Sequence, residues 1–327
     1  MKILVTGGRG LLGSYVVREL VGRGHQVRVL QRGPAGHGPR VEELLGDVAD
    51  GGIAARAVDG CEAVIHLAAK VSMVGGRADF ARTNVGGTSV MLDASATAGV
   101  SRFVHVSSPS VAHAGHPLVG APAAPADPVL ARGEYARSKA MAELLALSAD
   151  RPGFAVTAIR PHLVWGPGDT QLIGRIAERA RRGRLVIVDD GAALIDTTVV
   201  DNAATALAQA VEHCANVDVH GRAFVVTNGE PRTVWELLDR IARASGGRTP
   251  SRHVPYRVAR GLGSAVEKGW RVTGRQDEPT LTAFVAEQLA TAHWFDQRET
   301  RRALKWRPAV TLDEGIRRLA AAMGGTA

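Results

Sequence analysis

The sequence predicts an α/β fold, a doubly wound parallel sheet covered by helices on both faces, joined to a smaller α+β unit. Three observations predict it. Short runs rich in Val, Ile and Leu alternate with helical stretches up to Arg160; the runs are apolar on both faces; and the alternation breaks down afterwards. Strands apolar on both faces and separated by helices need crossover connections, which a parallel sheet buried on both sides provides.

The first strand is KILVT, followed by a helix from Leu11 to Arg23 and the strand QVRVL. A third strand precedes Gly46–Asp47–Val48. AVIHL at 63–67 reads as the fourth strand, Asp79 to Ala98 as a helix, FVHVS as a strand, Tyr135 to Ala149 as a helix and AVTAI as a strand. Past Arg160 the residues Pro161, Gly166, Pro167 and Gly168 interrupt the pattern, and the runs LVIV and AFVV mix with helices, as in a separate smaller domain. Between Ser110 and Leu130 lies an Ala/Pro/Gly/His-rich stretch with little periodicity, a length of loop that usually forms a functional lid or is disordered.

At 327 residues the chain is one large unit or two fused ones, and 45% hydrophobic with 22% charged residues excludes disordered, collagenous and coiled-coil classes. Lys and Arg number 40 against 32 Asp and Glu, a net charge of +8. The densest basic run, Arg179, Arg181, Arg182 and Arg184, reads as the solvated end of a helix, and no aromatics interleave with it as single-strand binding favours. No nucleic-acid partner is expected. Cys61 and Cys214 form no disulfide framework, and MKILVTGG opens directly on a strand, so a cytoplasmic protein without a leader is expected. The longest uncharged stretch, Phe103 to Ala126, is broken by prolines and cannot span a membrane.

TGGRGLLG lies between the first strand and the first helix, where a dinucleotide fingerprint works. Gly7 allows the tight turn, Gly10 lets backbone approach a pyrophosphate, and Gly13 lets helix pack on strand. Thr6 precedes the turn. At the end of the second strand stand Gln31 and Arg32, with Arg9 in the glycine turn; two guanidiniums and no acid favour a ribose 2′-phosphate, hence NADP(H) over NAD(H). Asp47, followed by Val48, is placed to accept from the adenine amino group. The division this implies is a Rossmann domain binding NAD(P) over 1–160, with 161–165 returning to it, and a mostly substrate-binding domain over 166–327.

Tyr135 and Lys139 lie four residues apart on one helix face. A lysine ammonium, helped by an oxidised nicotinamide, favours the phenolate and is expected to bring the tyrosine into working range. Ser107 and Ser108 end the strand FVHVS at the edge where ligands bind in such sheets. Ser108 is the expected partner of a carbonyl oxygen, with Ser107 nearer the cofactor. No metal site is expected, since His113 and His116 have no evident third partner.

TGGRGLLG, the LAAK at 67–70, VSSPSV, YARSK and RPHLVWGPGD together resemble the extended short-chain dehydrogenase/reductase family over nearly the whole chain. The resemblance implies hydride transfer by a Ser–Tyr–Lys set, here Ser108, Tyr135 and Lys139, with the tyrosine as acid or base. It also implies cofactor contacts at Leu11, Leu12, Leu67, Ala68, Ala69, Asn84, Pro161, His162 and Leu163, and a homodimer through the helices holding Asn84 and Tyr135. Sugar-nucleotide members of the family usually carry Asn where this chain has Leu163. VSSPSV, IRPHLVWGPGD, NGEP at 228–231 and VAEQLATAHWF are more similar to the branch acting on 3-oxo and 3-hydroxy lipids, which includes sterol-4-carboxylate 3-dehydrogenases and 2-alkyl-3-oxoalkanoate reductases. A lipid-like substrate with a carboxylate is therefore expected, with His162 or Lys70 able to hold that carboxylate or else contact cofactor or core. Residues 256–289 resemble a membrane-associated tail, but Arg257, Arg260, Glu267, Lys268 and Arg271 leave an amphipathic helix that caps the pocket or rests on a membrane surface. The alternatives are a nucleotide-sugar epimerase or dehydratase and a non-catalytic NADP-sensing protein.

Overall fold

The computed structural model describes residues 1–72, 75–113, 115–273, 279 and 281–325. The first half runs β1 (Lys2–Thr6), α1 (Leu11–Gly22), β2 (Gln26–Gln31), β3 (Val41–Leu45), α2 (Gly51–Val58), β4 (Ala63–His66), α3 (Arg77–Phe80), a π-helical segment (Ala81–Gly86), α4 (Gly87–Thr97) and β5 (Arg102–Val106). A 3-10 turn (Pro109–Ala112), β6 (Leu118–Ala121), α5 (Gly133–Ser148), β7 (Ala155–Pro161) and β8 (Val164–Trp165) follow. Then come α6 (Leu172–Arg181), β9 (Val186–Val188), β10 (Leu194–Ile195), β11 (Thr198–Val199), α7 (Val200–His213) and β12 (Ala223–Val226). The chain continues with β13 (Arg232–Thr233), α8 (Val234–Ala244), β14 (Arg252–Val254), α9 (Tyr256–Thr273), α10 (Ala283–Ala290), β15 (His293–Phe295), α11 (Arg298–Ala303) and α12 (Leu312–Met323).

Seven parallel strands form one sheet in the order β12-β7-β5-β4-β1-β2-β3, reversing direction of growth at β1, as a doubly wound fold requires. Its central strands are buried on both faces: Ile3, Val5, Val29, Ile65 and Val104 pack against α1 and α7, while Leu4, Leu30, Val64 and Phe103 pack against α2 and α4. The inward face of α1 carries Gly13, Val16, Val17 and Leu20, spaced for one helical stripe. Pairing of Thr6 with His66 and of His66 with His105 aligns the carboxyl ends of β1, β4 and β5 along one edge.

A second sheet, β13-β10-β15-β6, with α6, α8, α10 and α12, makes up the smaller unit. AFVV, grouped by sequence with that unit, is instead the edge strand β12 of the large sheet, and the preceding α7 packs on α1. The helix expected over 79–98 is interrupted by the π segment, which carries Asn84. The described part of the aperiodic stretch after Ser110 contributes β6, which pairs with β15 more than 170 residues later, a contact without a local signal. Residues 256–289 form the two helices α9 and α10, with residues 274–278 and 280 outside the described set. Among the described residues no helix is long and apolar enough to cross a membrane. Cys61 and Cys214 are buried and unbridged.

Candidate active site

The turn between β1 and α1 depends on glycine at more positions than the spacing suggests. Gly7 has φ 75°, a left-handed conformation. A Cβ on Gly13 would stand 2.8 Å from the Gly8 Cα and overlap the Gly7 carbonyl oxygen. Gly8, not singled out by the fingerprint, is equally constrained, because its Cβ would overlap a Val29 methyl. At Gly10 the nearest atom to a Cβ is the Gly7 oxygen at 3.5 Å, so the turn's outer side is open to a ligand. Gly10 is also the N-cap of α1, and no side chain caps the helix, leaving its first amides for an anion.

Leu67–Lys70 lies across this turn: the Ala68 amide donates to Thr6 Oγ1 at 3.0 Å. Asn84 ties the same segment to α5. Its Oδ1 accepts from the Lys70 amide at 2.7 Å and its Nδ2 donates to Ser138 Oγ at 2.9 Å. Lys70 itself bonds Asp79 at 2.9 Å, so its charge is already matched. Asp47 accepts from the Ala49 amide and from Arg82, both at 3.0 Å, and these donors hold its carboxyl below the ordinary aspartate range.

At the end of β2, the Arg9 guanidinium covers Gly33, where a Cβ would lie 2.9 Å from Nη1. Arg9 and Arg32 are exposed there. The absence of an acid, inferred from residues 31 and 32, is corrected by the structure: Glu43 reaches over from β3. It accepts from the His37 amide at 2.9 Å, the Ala35 amide at 3.2 Å and Gln31 Nε2 at 3.3 Å. Those bonds lower its pKa and commit its lone pairs to the loop.

Ser107 and Ser108 follow β5, and the Ser107 amide donates to the Ile159 carbonyl at 2.6 Å. Ser107 Oγ is buried without a hydrogen-bond partner among the described residues. Ser108 caps the 3-10 turn and its hydroxyl lies 2.9 Å from Ser110 Oγ. Tyr135 and Lys139 lie on α5. Lys139 is 3% exposed and donates to the Val106 carbonyl at 2.6 Å, directly beneath the serines. Burial lowers the Lys139 pKa to about 8, against the attraction of Glu143.

Burial raises the Tyr135 phenol above its ordinary value, while a hydrogen bond with Ser108 works the other way. This corrects the expected direct lowering by Lys139, whose ammonium is spent on a backbone carbonyl. The serine, phenol and lysine are nevertheless brought together at the carboxyl edge of the sheet, beside the glycine turn. The open Gly10 face, the uncapped helix start and the unpartnered Ser107 hydroxyl fit a dinucleotide. Gly7 to Gly13 would hold its phosphates, Arg9 and Arg32 its adenosine end, and Ser107, Lys139 and Pro161 its nicotinamide end; the bound cofactor supplies or accepts a hydride.

Beyond Pro161, the His162 amide donates to the Val226 carbonyl at 3.1 Å and its Nδ1–H to the Asp196 carbonyl at 2.6 Å. Burial depresses its pKa to about 4, so it is a neutral group and not a standing cation. Leu163 has φ 42° and is 39% exposed. His113, which in sequence lacks companions, meets His293 with Nε2 atoms 3.0 Å apart, and the His293 ring lies tilted with its centre 6.1 Å from that of His162. The described residues contain no group of three His, Cys, Asp or Glu side chains arranged to hold a metal.

Residues 3–227 match the NAD dependent epimerase/dehydratase family. The chain belongs to that family. Within it, the chain is 40% identical to a 2-alkyl-3-oxoalkanoate reductase of Stenotrophomonas maltophilia, over 98% of this chain and 99% of that one. It is 30% identical to the decarboxylating sterol-4-alpha-carboxylate 3-dehydrogenase of Mus musculus, over 97% of this chain and 89% of that one. The structure of MoeE5 in complex with UDP-glucose and NAD superposes with a TM-score of 0.77 at 24% identity, covering 99% of both chains, which shows the shared fold. This member of the epimerase/dehydratase family is an NAD(P)-dependent oxidoreductase of the extended short-chain type.

Proposed function

We propose that the protein is an NADP(H)-preferring reductase that interconverts a ketone and a secondary alcohol on a 3-oxo or 3-hydroxy lipid acid, in the manner of 2-alkyl-3-oxo acids. The observation that carries the reading is the convergence of Ser108, Tyr135 and Lys139 at the sheet edge beside the open glycine turn. In the reductive direction, Ser108 holds the carbonyl oxygen and Tyr135 gives it a proton while the carbonyl carbon takes the hydride. The charge that develops on oxygen is met by donors already in place. Lys139, fixed by the Val106 carbonyl, orients the ribose and adds its charge to the phenol's surroundings when the cofactor is bound.

Leu163 supports a lipid over a nucleotide sugar. A half-exposed apolar side chain stands at the substrate side of the strand end, where a diphosphate would need donors. Arg9 and Arg32, with Glu43 committed elsewhere, support the phosphorylated cofactor. Met141 and Leu144, exposed on the outer face of α5, support a homodimer through that helix. The buried unbridged thiols accord with a cytoplasmic location.

The test is Tyr135→Phe assayed with NADPH and a 2-alkyl-3-oxo acid. Turnover should fall at least about 1000-fold, the upper range for loss of a general acid. Affinity for NADPH, read by its fluorescence, should stay within about twofold, because the phenol oxygen is a small part of the cofactor contact. Undiminished turnover would reject the reading.

A further inference from the structure

We infer that Glu287 is a positioning residue for the reaction: from α10 of the smaller unit it ties together the two elements that carry Ser108 and Tyr135. The inference rests on the catalytic reading of those two residues. Glu287 Oε2 accepts from Arg132 Nη1 at 2.7 Å, and the carboxylate is 7% exposed while Arg132 is 46% exposed. Arg132 is the N-cap residue of α5, and Tyr135 is the third residue of that helix. The Arg132 guanidinium also lies against Gly115, whose φ of 87° and lack of a side chain leave room for it.

The second tie runs through His113. This residue caps the C-terminal end of the 3-10 turn whose N-cap is Ser108, so one short turn carries both side chains. His113 Nε2 meets His293 Nε2 at 3.0 Å, and His293 Nε2 also lies 3.2 Å from Thr291 Oγ1. The Thr291 hydroxyl proton is committed to the Glu287 carbonyl at 2.8 Å. Thr291 Oγ1 therefore accepts from His293 Nε2–H, and His113 Nε2 accepts from that same proton. His113 is left with its proton on Nδ1.

That Nδ1–H and Glu287 Oε1 are both buried without a hydrogen-bond partner among the described residues, one a donor and the other an acceptor. Burial depresses the His113 pKa and the Glu287 charge opposes it, with Arg132 and His116 adding to the depression. A purely structural tie is better served by an apolar pair than by a buried carboxylate with a spare oxygen. Glu287 thus holds the start of α5 through its carboxylate and reaches the serine's turn through its main-chain carbonyl, Thr291 and His293, so α10 sets the separation of the two elements. A misplacement near one ångström is costly to hydride and proton transfer.

Glu287→Gln, Glu287→Ala, Arg132→Met and Arg132→Lys test this beside Tyr135→Phe, in the full chain. Glu287→Gln and Arg132→Met should lower kcat by about 10- to 100-fold, the scale of a one-ångström misplacement, with KM for NADPH within about twofold. Arg132→Lys should recover at least about a third of the lost kcat, since an ammonium still reaches the carboxylate as a point charge. Glu287→Gln is nearly isosteric but removes the charge that holds Arg132, so it reports even where Glu287→Ala does not fold. An unchanged kcat in folded Glu287→Gln and Arg132→Met, or no recovery in Arg132→Lys, overturns the inference. If Tyr135→Phe loses turnover and the Glu287 variants do not, this inference alone fails; if Tyr135→Phe keeps turnover, the catalytic reading fails first.

Discussion

Gly8 and Gly13 pack so closely that a single methyl would collide with Val29 or with the backbone of Gly7, whereas across the cleft Leu163 stands partly exposed in a left-handed conformation. At Gly8 and Gly13 the turn tolerates no added atom, while Gly10 leaves its outer side open. The proposed substrate side draws on several elements, and His113, His293 and Glu287 keep buried hydrogen-bonding atoms without partners among the described residues. On the function proposed above, one region would hold a ligand of fixed shape through amides, and the other would be free to vary with its substrate.

The largest expected effect lies on the rigid side. Gly13→Ala should weaken NADPH binding at least about 100-fold by moving the helix amides that hold phosphate. Nicotinamide fluorescence titration checks it, and near-normal affinity would mean that the turn is less constrained than its packing implies. Next comes Arg9→Ser with Arg32→Ser: affinity for NADPH should drop about 10- to 100-fold, as for lost charge-assisted bonds, while affinity for NADH changes little. Equal losses for both cofactors would remove the 2′-phosphate assignment.

The substrate side should respond more mildly. Leu163→Asn suits the backbone, because Asn enters the left-handed region more readily than Leu. It should raise KM for an apolar 3-oxo acid by about tenfold through lost apolar contact, with Tm unchanged or higher. A lowered KM for that acid would contradict the lipid assignment.

The smallest effect concerns Asp196, whose carboxylate accepts from Thr227 Oγ1 at 2.7 Å and from the Gly229 and Glu230 amides. Burial outweighs those bonds and raises its pKa to about 6. The folded protein therefore holds this proton more tightly than the unfolded chain between about pH 4 and 6, and its contribution to stability is lost as pH rises through that window. Asp196→Asn should flatten that part of the Tm–pH curve; an unaltered slope would assign the titration elsewhere.

What the sequence disclosed was local. The glycine turn, Tyr135–Lys139 and the serine pair each lie within one strand–turn–helix or one helical turn, where spacing alone determines proximity. The parallel, doubly wound class of the large sheet followed from apolar runs separated by helices. What it concealed was long-range. His113 and His293 are 180 positions apart and meet where β6 pairs with β15, while Arg132 and Glu287 are 155 apart and meet where the start of α5 lies against α10. Glu43 was hidden because strand pairing sets it opposite Val29, from where its side chain reaches Gln31 at the end of β2. The phenol's upward shift was hidden because it depends on burial, which no four-residue spacing encodes.

The central claim is that a tyrosine raised by burial becomes a working acid once the cleft is loaded. Ultraviolet difference titration of the wild type against Tyr135→Phe isolates this phenol from Tyr15 and Tyr256. Alone, Tyr135 should ionise above the ordinary tyrosine value; with NADP+ it should ionise at least about one unit below it, as a nearby cation dictates, and Lys139→Met should remove most of that drop. An ionisation that stays put when NADP+ is added, with the lysine present, would contradict the account.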